Sequence, residues 1–138
     1  MIESPDGRWR ADLVLAGEIR FGPCYYVLQL NGRTLADRIF GEPIVWSQDS
    51  CHLAVQEWLT TDYGIGPRTR TLLIRPQDDT CAALPVVEKG FADQFQVDAS
   101  TVHYSEMFPG HGKVVQRELA LSEVTPWTRC QWADSAKP

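Results

Sequence analysis

The chain has 138 residues, 43% of them hydrophobic and 22% charged, and a formal charge of −5. That length suits one domain burying about two-thirds of its unfolded surface, and the composition excludes a disordered or low-complexity chain and a bundle of membrane helices. Six acids fall in each of the thirds 1–46, 47–90 and 91–138, against five, four and four bases, so the negative charge is spread over a folded surface. Such a field repels phosphate backbones, which disfavours direct binding of nucleic acid and favours a basic protein as partner.

Strand-like runs follow one another along the chain, with no long stretch at helical spacing. No basic start or apolar leader opens it, and the apolar runs are far shorter than the roughly 20 residues of a membrane helix; the expectation is a cytoplasmic protein without membrane contact. A turn at Ser4-Pro5-Asp6-Gly7 leads into a strand over 9–15. A second strand, 25–30, meets Asn31-Gly32, whose tolerance of two positive φ values predicts a type I′ hairpin continuing as a strand over 33–40. The turn Trp46-Ser47-Gln48-Asp49-Ser50 introduces a buried strand over 51–59. Residues 60–67, Thr-Thr-Asp-Tyr-Gly-Ile-Gly-Pro, form a projecting loop, and 69–75 a strand that ends at the turn 76–80. The run 81–89 reads as an edge strand because of Pro85, with one helical turn at Ala82-Ala83-Leu84 as the alternative. Strands over 91–97 and 101–108 pair next, Pro109-Gly110-His111-Gly112 breaks the chain, and 113–121 alternates again. A last strand is expected within 127–132, and 132–138 reads as a frayed tail of the single domain 1–138.

Ser4, Asp6 and Ala11 coincide with Ser47, Asp49 and Ala54 at an offset of 43 residues, one propeller-blade length of roughly 40–45 residues. The segment from Trp46 to Ala54 resembles the opening of a β-propeller blade of the TolB or WD40 type, with Ser50 where that turn has glycine. Near Gln96-Val97-Asp98 only the aspartate survives of a third copy. The resemblance implies an all-β domain of antiparallel sheets stacked as an open, propeller-like arrangement of about three blades. It also implies a structural turn without a catalytic role.

Cys24, Cys51, Cys81 and Cys130 lie 27, 30 and 49 residues apart, without a CxxC pair or metal-ligand spacing. They are expected reduced and buried, a disulfide being the lesser alternative, and neither metal nor cofactor is expected. Phosphate loops and hydrolase or metalloprotease motifs do not occur. His103, Ser105 and Glu106 are the nearest approach to a catalytic constellation, yet on a strand Glu106 points away from the other two. His52, among apolar neighbours, reads as a hydrogen-bonded core histidine, and Trp9, Trp46 and Trp58 as core.

Acids beside aromatic residues on loops are the candidate partner-binding residues: Asp62, Tyr63, Asp78, Asp79, Glu106, Phe108 and His111, with Trp127 as a further aromatic at an element end. In size, acidity and absence of cofactor motifs the chain resembles the small immunity proteins that neutralise bacterial secreted toxins, including those of type VI secretion. That resemblance implies a non-catalytic inhibitor, monomer or homodimer, occluding the basic face of a cognate toxin such as a nuclease. A structural module completing a larger assembly, and a small ligand-binding or catalytic β domain with its site near His103 and His111, are the alternatives.

Overall fold

In the computed structural model, residues 2–19, 22–62, 64 and 66–133 are described. Their strands are β1 (Ile2–Glu3), β2 (Arg10–Glu18), β3 (Cys24–Leu30), β4 (Arg33–Thr34), β5 (Ile39–Trp46), β6 (Leu53–Trp58), β7 (Arg68–Arg75) and β8 (Thr80–Ala83). β9 (Val87–Glu88), β10 (Phe91–Val97), β11 (Thr101–Phe108), β12 (Lys113–Ala120) and β13 (Thr128–Arg129) complete the order. All pairings are antiparallel, and the described residues contain no α-helix. No helix among them is long and apolar enough to cross a membrane.

The ladders form two sheets. One runs β1-β2-β3-β5-β6-β7-β8-β13, with β4 on β3 and β9 on β7, and the other is β10-β11-β12. The all-β, antiparallel expectation therefore holds, whereas the ladders do not show a grouping into about three blades. The large sheet curls around a first core of Leu28, Phe40, Leu53, Val55, Leu72 and Ile74 among others. Its other face, at β6 to β8, packs against the small sheet through Ala54, Leu73, Ala82, Ala92, Phe95 and Val102. β6 is thus covered on both sides, which is why all six of its residues are buried and why its sequence opens on a continuous apolar run, Leu53-Ala54-Val55.

The two Ser-x-Asp turns share one pattern of hydrogen bonds. In the first turn Ser4 Oγ donates to Asp6 Oδ1 (2.7 Å), Arg8 N–H donates to the same oxygen (3.0 Å), and Trp9 N–H donates to Ser4 Oγ (3.1 Å). In the second, Ser47 Oγ donates to Asp49 Oδ1 (2.6 Å), Cys51 N–H to the same oxygen (3.0 Å), and His52 N–H to Ser47 Oγ (3.0 Å). Gly7 and Ser50 occupy the same left-handed position, at φ 75° and 64°. The serine does what glycine could not: its Oγ accepts Asp6 N–H at 3.0 Å and joins the two turns, while Trp46 Nε1 donates to Ile2 O at 3.0 Å. At Asp98 the carboxylate accepts Ser100 and Thr101 N–H without a serine partner two residues earlier, so the third copy keeps only the aspartate.

Three local expectations change. Asn31 and Gly32 adopt positive φ as a type I′ turn requires, but the returning strand stops at Thr34. Leu35 turns away to bridge Trp132, and Asp37 at φ 60° reverses the chain before β5. Residues 80–83 form a strand as expected, but not an edge one, because their backbone pairs with β7 on one side and β13 on the other. Trp132 and Ala133, read as the start of a loose end, are held. Trp132 Nε1 donates to Asp79 Oδ1 (2.7 Å), the Arg33 guanidinium stacks 4.3 Å from its ring, and Ala133 N–H donates to Thr34 O. The rest of that tail, 134–138, lies outside the described residues.

His52 is the buried, hydrogen-bonded histidine the sequence suggests: it is 6% exposed, and its Nε2 accepts Arg75 Nε–H at 3.0 Å. Burial, and then the Arg75 charge, push its pKa below the ordinary 6.5 against the opposing pull of Asp49 and Asp78. The unfolded chain takes up this proton below pH 6.5 while the native state still refuses it, so the stabilisation is complete above 6.5 and is lost as pH falls through that value toward the lower native pKa. Urea midpoints should therefore decline between pH 7 and mildly acidic pH. His52→Gln, which keeps an acceptor for Arg75, should flatten that part of the profile; an unchanged slope would assign it to other groups.

Candidate functional site

The structure separates the residues singled out by sequence. Asp62 is exposed at one end of the molecule, its Oδ1 accepting Gly64 N–H, and Tyr63 lies outside the described residues. Phe108 and His111 come to the same end: Gly90 donates its N–H to Pro67 O at the close of the 60–67 loop and packs directly against Phe108. Phe108 is half-buried and His111 exposed on the 3₁₀ turn Pro109–His111. Asp78 and Asp79 sit at the far end of β7, in the turn to β8. Asp79 spends its carboxylate on Trp132 and on Arg129 (3.3 Å), and Glu106, 7% exposed, on Arg117 (3.0 Å). His103 lies near the start of β11 beside Glu118 (3.3 Å) and Asp98 (3.9 Å), whereas His111 follows its end, so the two histidines do not share a site.

Two concavities take the place of that list, both built around the end of β6. Alternation puts Leu53, Val55 and Glu57 toward the first core and Ala54, Gln56 and Trp58 toward the small sheet. Trp58 lines a cleft of about 450 Å³ where β10 crosses β5, with Tyr26, Phe91, Glu42 and Asp93 around it. Trp58 and Phe91 meet edge to face at 5.5 Å. Gly41 lies against the Trp58 indole and the Gln56 amide, and any Cβ there would collide with both, so glycine is what lets the cleft floor form. Gln56 Nε2 donates to Ala92 O at 2.8 Å and fixes β10 over the cleft. Among the described residues no lysine or arginine lines it, and neither Glu42 nor Asp93 has an ionic partner. Aromatic faces and unpaired carboxylates together are what a desolvated ammonium or guanidinium group prefers.

Glu57, one residue back, occupies the open mouth of the curled sheet. Its side chain is 5% exposed, and its carboxylate is held at 2.7 Å by Arg38 Nη1 on one oxygen and at 2.7 Å by Arg70 Nε on the other. Arg38 reaches this position because the chain reverses at Asp37, and its Nη2 lies 4.0 Å from Cys81 Sγ. Cys81 on β8 and Cys130, just past the end of β13, sit together in the first core. The hydrogen bond from Cys130 and then the Arg38 charge bring the Cys81 thiol down to about 6, and the same bond pushes the Cys130 thiol up. All four cysteines are free; Cys51, expected buried, is exposed because it belongs to the turn and not to β6.

None of the residues lining the aromatic cleft was singled out for a partner by sequence. Glu42 and Asp93 fall inside strands, where a charged residue reads as an ordinary solvent-facing position, and only the crossing of β10 over β5 brings them together. Neither a family model nor a curated protein nor a solved structure matches the chain.

Proposed function

We propose that the chain is a non-catalytic binding protein that inhibits a basic protein partner, in the manner of an immunity protein neutralising a secreted toxin. The observation that carries this reading is the cleft between the sheets, where Glu42 and Asp93, without an ionic partner among the described residues, stand beside Tyr26, Trp58 and Phe91. A lysine or arginine side chain entering it would gain two carboxylates and an aromatic lining, an anchor of the kind that dominates tight interfaces. Asp62 and Phe108 at the same end of the molecule would extend the contact, and the net charge of −5 would steer association. Asp79 and Glu106 serve the fold on this reading, with Asp78 outside the interface.

Affinity capture with the tagged chain from its native cells, followed by mass spectrometry, should retain a basic protein that is toxic alone and harmless when co-expressed. The association rate should fall as salt rises. Glu42→Lys with Asp93→Lys should weaken the complex by about 3 kcal/mol or more, roughly a hundred-fold, without unfolding the chain. Affinity retained by that double reversal, or a captured protein without toxicity, would overturn the assignment.

A further inference from the structure

The mouth of the curled sheet carries an inference that does not depend on the partner cleft. Along β6 the inward face reads Leu53, Val55, Glu57: a carboxylate stands where the alternation calls for a third apolar side chain. An ion cluster in such a place is a weak source of stability, since apolar side chains of similar volume do as well or better. Departures from local pattern of this kind concentrate at binding sites.

We propose that the mouth binds a small organic oxyanion, a carboxylate or phosphate ester with an apolar portion, held by Arg70 and Arg38 with Glu57 as their positioning residue. The cleft is about 1090 Å³, and Val27, Ile39 and Leu59 give it apolar walls. Arg70 uses Nε on Glu57, and its two Nη nitrogens have no partner among the described residues. A guanidinium fixed through one edge presents the other as a planar fork matched to a carboxylate or phosphate. Arg70 and Arg38 keep 26% and 27% of their side-chain surface exposed, so they are held from behind and open in front. Arg129, 74% exposed, stands at the rim, and among the described residues Asp37 is the one carboxylate there besides Glu57. Two arginines on a single buried glutamate leave a surplus positive charge inside a chain of net −5, which localises an anion at this spot.

The test is a titration of the full-length, ¹⁵N-labelled chain with benzoate, phenyl phosphate and, as a cationic control, benzamidinium, at constant ionic strength. Benzoate or phenyl phosphate should give saturable shifts of the Arg70 Nε–H and of the Leu59, Thr60 and Thr61 amides, with a Kd of about 1 mM or tighter. The tighter of the two identifies carboxylate or phosphate as the preferred head group, and benzamidinium should leave these signals unmoved. Arg70→Lys, which keeps a charge on Glu57 but removes the fork, should weaken binding about ten-fold or more. Glu57→Gln combined with Arg38→Gln and Arg70→Gln, which removes both guanidinium groups together with the carboxylate, should abolish it; either variant retaining the native spectrum suffices. Shifts that do not saturate by about 10 mM, that benzamidinium reproduces, or that persist undiminished in a folded variant would overturn the proposal. The partner cleft would be unaffected by any of these results.

Discussion

Replacing Glu57 with alanine is expected to destabilise the protein by about 3 kcal/mol, at the low end of the 3–5 kcal/mol seen when one member of a buried ion cluster is removed. The low end applies because the two arginine side chains are each about a quarter exposed and can recover some water. Glu57 itself is 5% exposed and gives one oxygen to each guanidinium at 2.7 Å, so its loss leaves two positive charges facing each other over an apolar floor. A urea titration should show a lower midpoint with an unchanged slope. The complementary variant removes all three charges at once: Glu57→Leu with Arg38→Met and Arg70→Met should be neutral or more stable. A large loss in that triple variant would mean that the cluster holds the sheet together.

Thr69→Val is expected to cost about 2–4 kcal/mol although the two side chains have nearly the same shape, because it strands one donor and one acceptor that each cost about 1–3 kcal/mol when buried unpaired. Thr69 is fully buried on β7; its Oγ1 donates to Gly90 O at 3.0 Å and accepts Ala92 N–H at 3.0 Å. With Gln56 Nε2 on Ala92 O, these bonds are the polar pins that attach the start of β10 to the large sheet. Hydrogen exchange at the Ala92 amide should accelerate by more than at β6 amides. A loss below about 0.5 kcal/mol, the range of neutral surface changes, would mean that apolar packing alone holds the sheets together.

Most strands were legible because their signals are local. The bounds 91–97 and 101–108 are those observed, and Asn31-Gly32 and the two Ser-x-Asp turns announce their own geometry. The end of β4 was not legible, since Thr34, Leu35 and Ala36 continue a plausible strand and what bends them away is Trp132, nearly a hundred positions later. The grouping into sheets was equally hidden: a 43-residue repeat is compatible with separate blades, and it is the β5 to β6 ladder that joins the two copies into one sheet. The site followed the same divide. The acidity of the chain was readable, but loops were favoured as its carriers, and Glu42, Glu57 and Asp93 lie on strands. Asp79 reads as a free turn carboxylate until Trp132 and Arg129 arrive on it.

The placement of residues 128–133 has a consequence for how the molecule is made. This segment lies between β8 and the stretch 34–36, hydrogen-bonding to both through Cys130 N–H to Asp79 O and Ala36 N–H to Gln131 O. As the chain leaves the ribosome, the flanks of that slot are translated long before the strip that fills it, so a nascent polypeptide stalled short of Trp132 exposes two unsatisfied edges and the Cys81 thiol beneath them.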